Sequence, residues 1–411
     1  MMRILSGFGL CLFLGLLWSQ EPTELEEKQK FNKMVDDGIR KGSQYLISLQ
    51  RSDGSFPQWA DEKLLGKRAY DIEFPMGMTS LSLLALLHSG VNPNETVIVK
   101  GFEYLKEMPY KHVYSVALLI MALEARHLPP ASLKPKAVKC GESFVLTGFV
   151  RKLGEDQDWM QKVTDWLLKA EKKDGGWEYK PNPFHADLSN TQYGLLGLKA
   201  SSRCGLKVPL EVWMRSIRYV LDLQAKEGPV VYLPEPSKEK KGGSGSVVVS
   251  RPNKKTGSGL RARGWGYSGT KPKPESAETE QYGSMTTAGI ACLLMCKSEL
   301  LLAKKMDNKL LAETDAAIAD GFAWLWNNWL IPANPKAKGF YDYYWLYGLE
   351  RAAEMQGITH IGDKNWYAEG AEYICTNRTH SIDGSYADDV AFGLLFLNRA
   401  TISVISSGSE K

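Results

Sequence analysis

A short motif recurs six times along the chain, and this repeat constrains the fold more than any other feature of the sequence. In each copy, a small residue is followed after two positions by an aromatic residue and then by an aliphatic one. Successive copies begin 59, 62, 53, 105 and 49 residues apart. A repeat of this length predicts one supersecondary unit copied along the chain. The copies are Gly42-x-x-Tyr45-Leu46, Gly101-x-x-Tyr104-Leu105, Val163-x-x-Trp166-Leu167, Ser216-x-x-Tyr219-Val220, Gly321-x-x-Trp324-Leu325 and Gly370-x-x-Tyr373-Ile374.

Each copy contains an amphipathic segment. In the first copy, apolar residues between Phe31 and Leu49 recur every three or four positions, which is the spacing of one buried stripe on an α-helix. The third copy has the same spacing between Trp159 and Ala170. Because polar residues fill the opposite face, these helices are predicted to form an outer layer that contacts water.

A second segment in each copy is almost free of charged residues. Residues 115–123 carry no charge at all, and a helix without a polar face must be covered by protein on every side. Six outer helices that alternate with six inner ones predict an all-α fold, an (α/α)6 toroid of two concentric rings. The predicted inner helices are 79–87, 114–125, 191–200, 286–296, 343–353 and 390–400.

Glycine turns are predicted to separate the two helices of a copy. In three copies, a Gly that can adopt positive φ is followed closely by an aromatic residue that can pack back over the helix end. Gly264-Trp265-Gly266-Tyr267 and Gly339-Phe340 are interpreted as the same device in the fourth and fifth copies. The three turns are Asp53-Gly54-Ser55-Phe56, Asp174-Gly175-Gly176-Trp177 and Asp383-Gly384-Ser385-Tyr386.

The N-terminal segment is predicted to direct export. Arg3 supplies a positive charge, and Ile4 to Leu17 form an apolar stretch of 14 residues, too short to span a bilayer comfortably and typical of a secretory signal. Cleavage after Ser19 would remove a signal peptide of residues 1–19; an uncleaved segment that tethers the protein to the membrane is the alternative. No later segment is predicted to cross a membrane. The expected location is periplasmic or secreted.

The remainder is predicted to be one domain over 20–400 with a tail at 401–411. The long interval contains an insertion at about 235–263, where eight Lys or Arg and one acidic residue lie between Ser237 and Arg263. This composition predicts a disordered surface loop, with contact to an anionic polymer or membrane surface as the alternative. A net charge of +4 over 411 residues gives no reason to expect a nucleic-acid partner.

Neither a metal nor another cofactor is predicted. A catalytic zinc site needs three N, O or S ligands and an open position, and the six histidines form no cluster with ligand spacing. The five cysteines that follow Cys11 are odd in number and widely spaced. They imply no disulfide framework.

Three copies share a longer register around the motif. The first copy reads Lys41-Gly42-x-x-Tyr45-Leu46-x-x-x-Gln50-x-x-x-Gly54-x-Phe56. The other two keep Lys162, Trp166, Leu167, Glu171, Gly175 and Trp177, and Arg215, Tyr219, Val220, Gln224 and Gly228.

This register resembles the QW repeat of squalene–hopene cyclases, members of the terpenoid cyclase and prenyltransferase superfamily. The resemblance extends over about residues 30 to 400, and in the family these residues tie the outer helices together. Because the chain has a single ring and a signal segment, it resembles exported single-toroid bacterial proteins with prenyltransferase/squalene-oxidase repeats more than it resembles squalene cyclases. The resemblance implies a central pocket and leaves the reaction unassigned.

The same resemblance implies a candidate acid. Family members that protonate an alkene use an Asp-x-Asp-Asp motif at the start of an inner helix. The matching residues here are Asp388 and Asp389, and Tyr386 stands in place of the first Asp. If the protein is an enzyme, Asp388 is the expected proton donor in cyclase- or isomerase-like chemistry. Capping of the helix by the two carboxylates is the alternative.

Further candidates come from the ends of the inner helices. These helices are predicted to run in one direction, so their N-termini gather at one mouth of the ring. Six positive helix ends favour a polar or anionic ligand, although helix capping accounts for many such residues without one. The candidates are Glu73, His112, Tyr114, His185, Asp187, Asn190, Gln192, Glu280, Tyr282, Tyr341, Asp342 and Tyr343.

Three functions remain open from the sequence. An aromatic cavity that Asp388 enters favours cyclase-like chemistry on a small molecule, hydrophobic or polar. Carboxylates that face each other across a shallow mouth favour a carbohydrate-active enzyme. A ring filled by its own side chains favours a non-catalytic scaffold that presents a rim to a protein or polysaccharide.

Overall fold

The computed structural model describes residues 23–57, 74–128, 136–140, 143–147, 152–179, 186–234, 259–267, 280–338, 341–377, 382 and 386–406. Within these residues, twelve α-helices alternate between an outer and an inner layer. The predicted (α/α)6 toroid is confirmed. The outer helices are α1 (Glu24–Ser48), α3 (Thr96–Lys106), α5 (Gln157–Lys169), α7 (Leu210–Leu223), α9 (Asn308–Asn327) and α11 (Trp366–Thr376).

The inner helices close into a ring. Each packs on the next in chain order, and the last returns to pack on the first. α1 packs against the first and the last inner helix, at the point where the ring closes. Closure of the ring by the first and last helices supports one folding unit, and the limits 20–400 remain a prediction. The inner helices are α2 (Pro75–His88), α4 (Val113–Arg126), α6 (Leu188–Arg203), α8 (Gly283–Leu302), α10 (Asp342–Gln356) and α12 (Ala387–Leu397).

Burial separates the two layers as the sequence pattern predicts. Every residue of α4 from Val116 to Ala125 is buried, whereas α5 buries one stripe along its length. Five of the inner helices run one to six residues beyond the predicted limits at their ends, and α12 begins three residues earlier and ends three residues earlier than predicted. α8 continues past its predicted end because Lys297 reaches Asp315 on α9, 2.5 Å away, which accommodates a charge on a buried helix.

α8 also corrects the expectation that no segment after the signal could cross a membrane. Among the described residues, α8 is long and apolar enough to do so, with 20 residues. Its apolar stretch is 89% buried inside the protein. It contains Cys292 and Cys296, both free and buried. In this structure α8 is a core helix of the ring.

Two of the predicted glycine turns have the expected conformation. Gly54 has a φ of +91° and Gly175 a φ of +93°. A Cβ on Gly175 would lie 2.5 Å from the backbone carbonyl carbon of Arg215, so a side chain would be excluded there even without the backbone strain. Gly384 of the third turn lies outside the described residues.

The prediction that Gly264 repeats this turn is wrong, because Gly264 is not among the glycines with positive φ. Instead, Gly264 lets the backbone lie close to the next inner helix: a Cβ at this position would lie 2.4 Å from the Thr286 hydroxyl oxygen. Gly339 and Phe340 lie outside the described residues.

The aromatic residues after the turns join the two layers. The indole of Trp177 donates to the carbonyl of Leu167 (2.9 Å), and that of Trp265 donates to the carbonyl of Val220 (2.8 Å), so each caps the end of the preceding outer helix. The backbone N–H groups of Trp177 and Trp265 each donate to a threonine hydroxyl on the next inner helix, and the backbone N–H of Phe56 in the first copy does the same. These pairs are Phe56–Thr79, Trp177–Thr191 and Trp265–Thr286.

Polar residues of the shared register link successive outer helices. The Gln50 amide donates to the Val97 carbonyl on α3 (2.7 Å). The Gln224 amide donates to the Ala317 carbonyl on α9 (2.9 Å). In the intervening copy, Glu171 accepts from Arg215 on α7 (3.1 Å). The contacts are those expected of residues with a structural role.

Short strands, which the sequence pattern did not predict, accompany the helices. β1 (Lys136–Cys140), β2 (Ser143–Thr147) and β5 (Ile405–Ser406) form an antiparallel sheet in the order β1-β2-β5, which lies against α8 and α10. β3 (Val230–Val231) pairs with β4 (Leu260–Arg261). β4 lies inside the insertion that was predicted to be disordered, and this prediction is wrong for residues 259–263, because the Arg261 backbone N–H donates to Asp320 (2.9 Å). Residues 235–258 lie outside the described residues.

Candidate functional site at the mouth of the ring

A cavity of ≈ 530 Å³ opens where the N-termini of the inner helices meet. All six inner helices contribute residues near their N-terminal ends, which confirms that these helices run in one direction. The lining residues are Phe74, Met78, Tyr114, Tyr179, Ser189, Tyr267, Glu280, Tyr282, Ser284, Met285, Asn334, Lys336, Ala337, Lys338, Tyr341, Tyr344, Asp388 and Phe392.

Tyrosine is the most frequent residue type in the wall. Burial raises the pKa of Tyr114, Tyr267 and Tyr282 above the ordinary value. These phenols are therefore neutral at physiological pH, and each presents one O–H donor and an acceptor oxygen. The wall combines flat apolar faces with hydroxyl groups.

The rim of the cavity is exposed and carries both charges. Tyr179 is 40% exposed and Tyr341 65% exposed. Glu280 and Lys338 form an ion pair of 4.0 Å with both side chains largely in water. Such a pair contributes little to stability, so breaking it to contact a ligand would cost little.

The two candidate acid residues face different surroundings. Asp388 lines the cavity and lies close enough to Tyr114 to help raise its pKa. Asp389 is not part of the wall. Burial, with the nearby charges of Asp388 and Asp342, raises the pKa of Asp389 to about 7. Only one carboxylate of the pair is thus placed to meet a ligand.

Asp187 acts as a helix cap. Its side chain accepts from the Asn190 backbone N–H (2.7 Å) and side-chain amide (3.0 Å) at the start of α6. Asp187 is 5% exposed, and burial raises its pKa to about 6 against the opposing effect of these hydrogen bonds. Asp187 and Asn190 lie behind the wall and are not among the lining residues.

Gln192 also lies behind the wall. Its amide donates to the hydroxyl of Tyr344 (3.2 Å), and its carbonyl oxygen accepts from Arg351 (2.9 Å). Arg351 was not among the sequence candidates. The signal that could have identified Arg351 is an arginine in the middle of an inner helix, where a charge has no water to solvate it.

The remaining candidates are dispersed. Glu280, Tyr282 and Tyr341 line the cavity. His112 is buried beside it, with its ring edge-on to Phe74 at 4.8 Å. Asp342 and Tyr343 lie with Asp389 on the side facing α11, where Asp342 contributes to the raised pKa of Tyr373. Glu73 and His185 lie outside the described residues.

A metal centre has no support in the described part of the chain. No group of three or more His, Cys, Asp or Glu side chains there is placed to hold an ion. The expectation that the protein uses no metal and no other cofactor stays a prediction.

Comparisons with known proteins place the fold. No protein-family model matches the chain, and no curated protein matches it. Among solved structures, the α-1,6-mannanase GH76A of Salegentibacter sp. HEL1_6, as an inactive variant with α-1,6-mannotriose, matches with a TM-score of 0.51 and 9% identity over 89% of this chain and 98% of that one. A second inactive variant, with α-1,6-mannotetrose, gives 0.52 and 8% over the same shares.

The type II terpene cyclase MstE from Scytonema is also similar, with a TM-score of 0.32 and 12% identity over 91% of this chain and 98% of that one. That score is too low to add to the argument. Identities at this level show shared architecture and nothing about the reaction. The chain is an α/α toroid, the architecture that its repeats indicated.

Proposed function

We propose that the protein binds a short oligosaccharide, or a similar molecule with several hydroxyl groups, in the mouth cavity. The observation that carries the proposal is the wall of six tyrosines, Tyr114, Tyr179, Tyr267, Tyr282, Tyr341 and Tyr344. Sugar rings offer apolar faces that stack on aromatic rings and hydroxyl groups that pair with phenols. The cavity volume of ≈ 530 Å³ lies within the usual range of small-molecule sites.

A purely hydrocarbon ligand fits this wall less well. It would displace water from the polar groups that line the cavity without replacing the hydrogen bonds of that water, and an unpaired buried polar group costs about 1–3 kcal/mol. The charged rim formed by Glu280, Lys336 and Lys338 would also meet an apolar surface. A ligand with hydroxyl groups satisfies both parts of the site. The architecture shared with a mannanase that binds mannotriose is compatible with such a ligand.

Isothermal titration calorimetry with α-1,6-mannotriose, tri-galacturonate and the isoprenoid alcohol farnesol tests the proposal. Binding of at least one trisaccharide, and weaker or no binding of farnesol, is expected. Tyr341→Ala removes an exposed ring from the rim and should weaken trisaccharide binding. Tyr232→Ala removes a ring of similar exposure (60%) outside the cavity and is the control. Farnesol binding with no response to either sugar would overturn the proposal.

Acid catalysis by Asp388 is a second candidate, because Asp388 lines an aromatic cavity beside Tyr114, which is the arrangement expected for cyclase-like chemistry. We infer that any protonation of a bound substrate would use this carboxyl group. Geranylgeraniol and the trisaccharides serve as probe substrates, with products followed by mass spectrometry. Asp388→Asn should abolish any turnover while leaving the melting temperature unchanged. Unchanged turnover in this variant would exclude the role.

Export is a separate proposal, supported by the apolar N-terminal segment. Residues 1–22 lie outside the described residues, so the proposal depends on the sequence. The full chain should appear in the periplasmic or culture fraction of a bacterial host, and the mass of the exported protein should show loss of residues 1–19. Full-length protein in the membrane fraction would instead indicate an uncleaved tether.

A further inference from the structure

Arg351 is a buried charge in the centre of the ring. It lies in the middle of α10 and is 1% exposed. Its guanidinium carbon lies 4.2 Å from the ring centre of Tyr347 and 5.4 Å from that of Tyr193. Among the ion pairs of the described residues, none includes Arg351. Burial of an ion without a countercharge costs several kcal/mol before any compensation, so its presence calls for a reason other than stability.

Arg351 fixes the direction of a hydrogen-bond chain that leads to the cavity. Arginine has donors and no acceptor, so its contact at 2.9 Å must be with the carbonyl oxygen of Gln192. The Gln192 amide nitrogen then points the other way and donates to the Tyr344 hydroxyl oxygen at 3.2 Å. Because the Tyr344 oxygen accepts this bond, its own proton is directed elsewhere.

The hydrogen-bond chain ends at two hydroxyl groups in the cavity wall. The Ser189 oxygen lies 3.3 Å from the Tyr344 oxygen, and both residues line the cavity. If Tyr344 donates to Ser189, the Ser189 proton is free; if Ser189 donates to Tyr344, the Tyr344 proton is free. In either arrangement, a donated proton remains available at this part of the wall. This part of the wall therefore offers a donor, which favours a ligand group that accepts.

The positive charge of Arg351, at the start of the hydrogen-bond chain, strengthens the preference for an acceptor. Hydrogen bonds that involve an ionised group are roughly twice as strong as neutral ones, and linked bonds polarise one another in a medium of low dielectric. An anionic oxygen that accepts at Ser189 and Tyr344 gains most, because the Arg351 cation lies two hydrogen bonds away along the chain. On α12, Asp388 presents acceptor oxygens to the same cavity. A ligand that pairs with the Ser189 and Tyr344 hydroxyls and also with Asp388 carries an anionic group and hydroxyl donors.

We propose that the mouth cavity selects acidic oligosaccharides, and that the Arg351–Gln192–Tyr344 chain sets this specificity by presenting a polarised donor to a sugar carboxylate. The inference rests on the proposed function, since it assigns a substrate class to the same cavity. Tyr344 and Ser189 contact the ligand. Gln192 and Arg351 are positioning residues that act through them.

The substitution Gln192→Glu provides the sharpest test because it reverses the chain while preserving its shape. The new carboxylate accepts from Arg351 and also from the Tyr344 hydroxyl, so Tyr344 turns its lone pairs towards the cavity. The buried arginine gains a countercharge, and the melting temperature is expected to stay the same or rise. Loss of acid recognition without loss of stability is the expected signature, which a merely structural role for Gln192 would not produce.

Calorimetry compares tri-galacturonate with neutral α-1,4-galactotriose, which differs only in the carboxylates. The wild-type protein is expected to prefer the acidic sugar by about tenfold or more, and Gln192→Glu is expected to abolish this preference. Gln44→Glu, on the exposed face of α1, adds the same charge far from the cavity and should retain it. Tyr344→Phe removes the terminal donor and should lower binding of the acidic sugar more than that of the neutral one.

The outcomes separate this inference from the proposed function. If neither trisaccharide binds, in the wild type or in any variant, and farnesol does, both proposals fail. If the two sugars bind equally to the wild type, the cavity is a glycan site and the acidic specificity is wrong. If Gln192→Glu still prefers the acidic sugar, the Arg351–Gln192–Tyr344 hydrogen-bond chain does not set this specificity.

Discussion

The two ends of the inner ring are built from the same six helices and differ in how their polar groups are satisfied. At the end formed by the helix C-termini, Glu124 forms two hydrogen bonds with Arg203 (2.6 and 2.7 Å), and Lys199 contacts Glu299 at 2.5 Å and Ser298 at 2.8 Å. The cavity there has a volume of ≈ 30 Å³. At the mouth, the cavity has a volume of ≈ 530 Å³ and is lined by polar side chains that include Tyr344 and Asp388.

The C-terminal segment of the chain reinforces the closed end. The Thr401 backbone N–H and hydroxyl donate to Glu350 (2.9 and 2.7 Å), and Arg399 pairs with Glu354. Burial raises the pKa of Glu350 to about 8. The ion pairs and hydrogen bonds of the closed end leave little space between the helices, whereas the polar side chains of the mouth line an open cavity. Under the proposed function, the closed end stabilises the ring and the mouth binds the ligand.

The largest expected effect is at the closed end. Glu124→Ala leaves Arg203 buried without its countercharge and should lower the free energy of unfolding by about 3–5 kcal/mol. Urea denaturation followed by circular dichroism measures the change. Arg218→Ala, in the exposed pair with Glu313, is the control and should change stability by less than about 1 kcal/mol. A small effect of Glu124→Ala would contradict the structural role assigned to this end.

The next effect concerns the pH dependence of stability at the mouth. The pKa of Asp187 is about 6 in the folded state, above its ordinary value of 3.8. The folded state binds this proton more tightly than the unfolded state, so the contribution to stability is complete below about pH 4 and is lost as the pH rises through about 6, by at most about 3 kcal/mol. Asp187→Asn keeps a capping side chain and cannot ionise.

Urea unfolding near pH 4 and near pH 7 tests this prediction. The wild type should lose more stability than Asp187→Asn between the two conditions. An equal loss in both proteins would show that Asp187 is not held in a desolvated site.

A smaller effect is expected for Tyr344→Phe. Loss of one hydroxyl should weaken ligand binding by about tenfold, which corresponds to 1.4 kcal/mol. It should change stability by no more than about 1 kcal/mol, because a single neutral hydrogen bond contributes that much. Calorimetry and thermal melting on the same sample measure both quantities. A large loss of stability with unchanged binding would reverse the assignment of the two ends.

The smallest effect is expected at the rim. Glu280→Gln breaks the exposed pair with Lys338, and its effect on the free energy of unfolding should be below about 1 kcal/mol. Removal of a negative charge from the rim should strengthen binding of an acidic sugar at low ionic strength, and salt should cancel the gain. Binding measured at two salt concentrations checks the sign. A gain that is insensitive to salt would exclude the electrostatic explanation.

The ring was predictable from the sequence because its determinants are local and repeated. Helix periodicity, charge-free inner segments and the Gly54 and Gly175 turns each report on nearby residues. The β2–β5 pairing was missed because the two strands lie about 260 residues apart, and no local pattern predicts a pairing at that separation. The β1–β2 hairpin is local but lies between two helical repeats and is not part of the repeated pattern.

The site was predictable only in its location. The common direction of the inner helices placed it at their N-termini, and Asp388, Glu280, Tyr282 and Tyr341 do lie in the wall. Which neighbour faces inward depends on the rotation of each helix, because adjacent residues on a helix point about 100° apart. Asp388 and Asp389 therefore could not be told apart. The role of Arg351 depends on contacts between α6 and α10, which the sequence does not reveal.

A crystal structure of the protein soaked with tri-galacturonate tests the central claim most directly. The account predicts sugar density in the mouth cavity, with a carboxylate oxygen within hydrogen-bond distance of Tyr344 and sugar hydroxyls near Asp388. Sugar density elsewhere on the protein, with the mouth filled by water at a concentration where calorimetry shows binding, would contradict it.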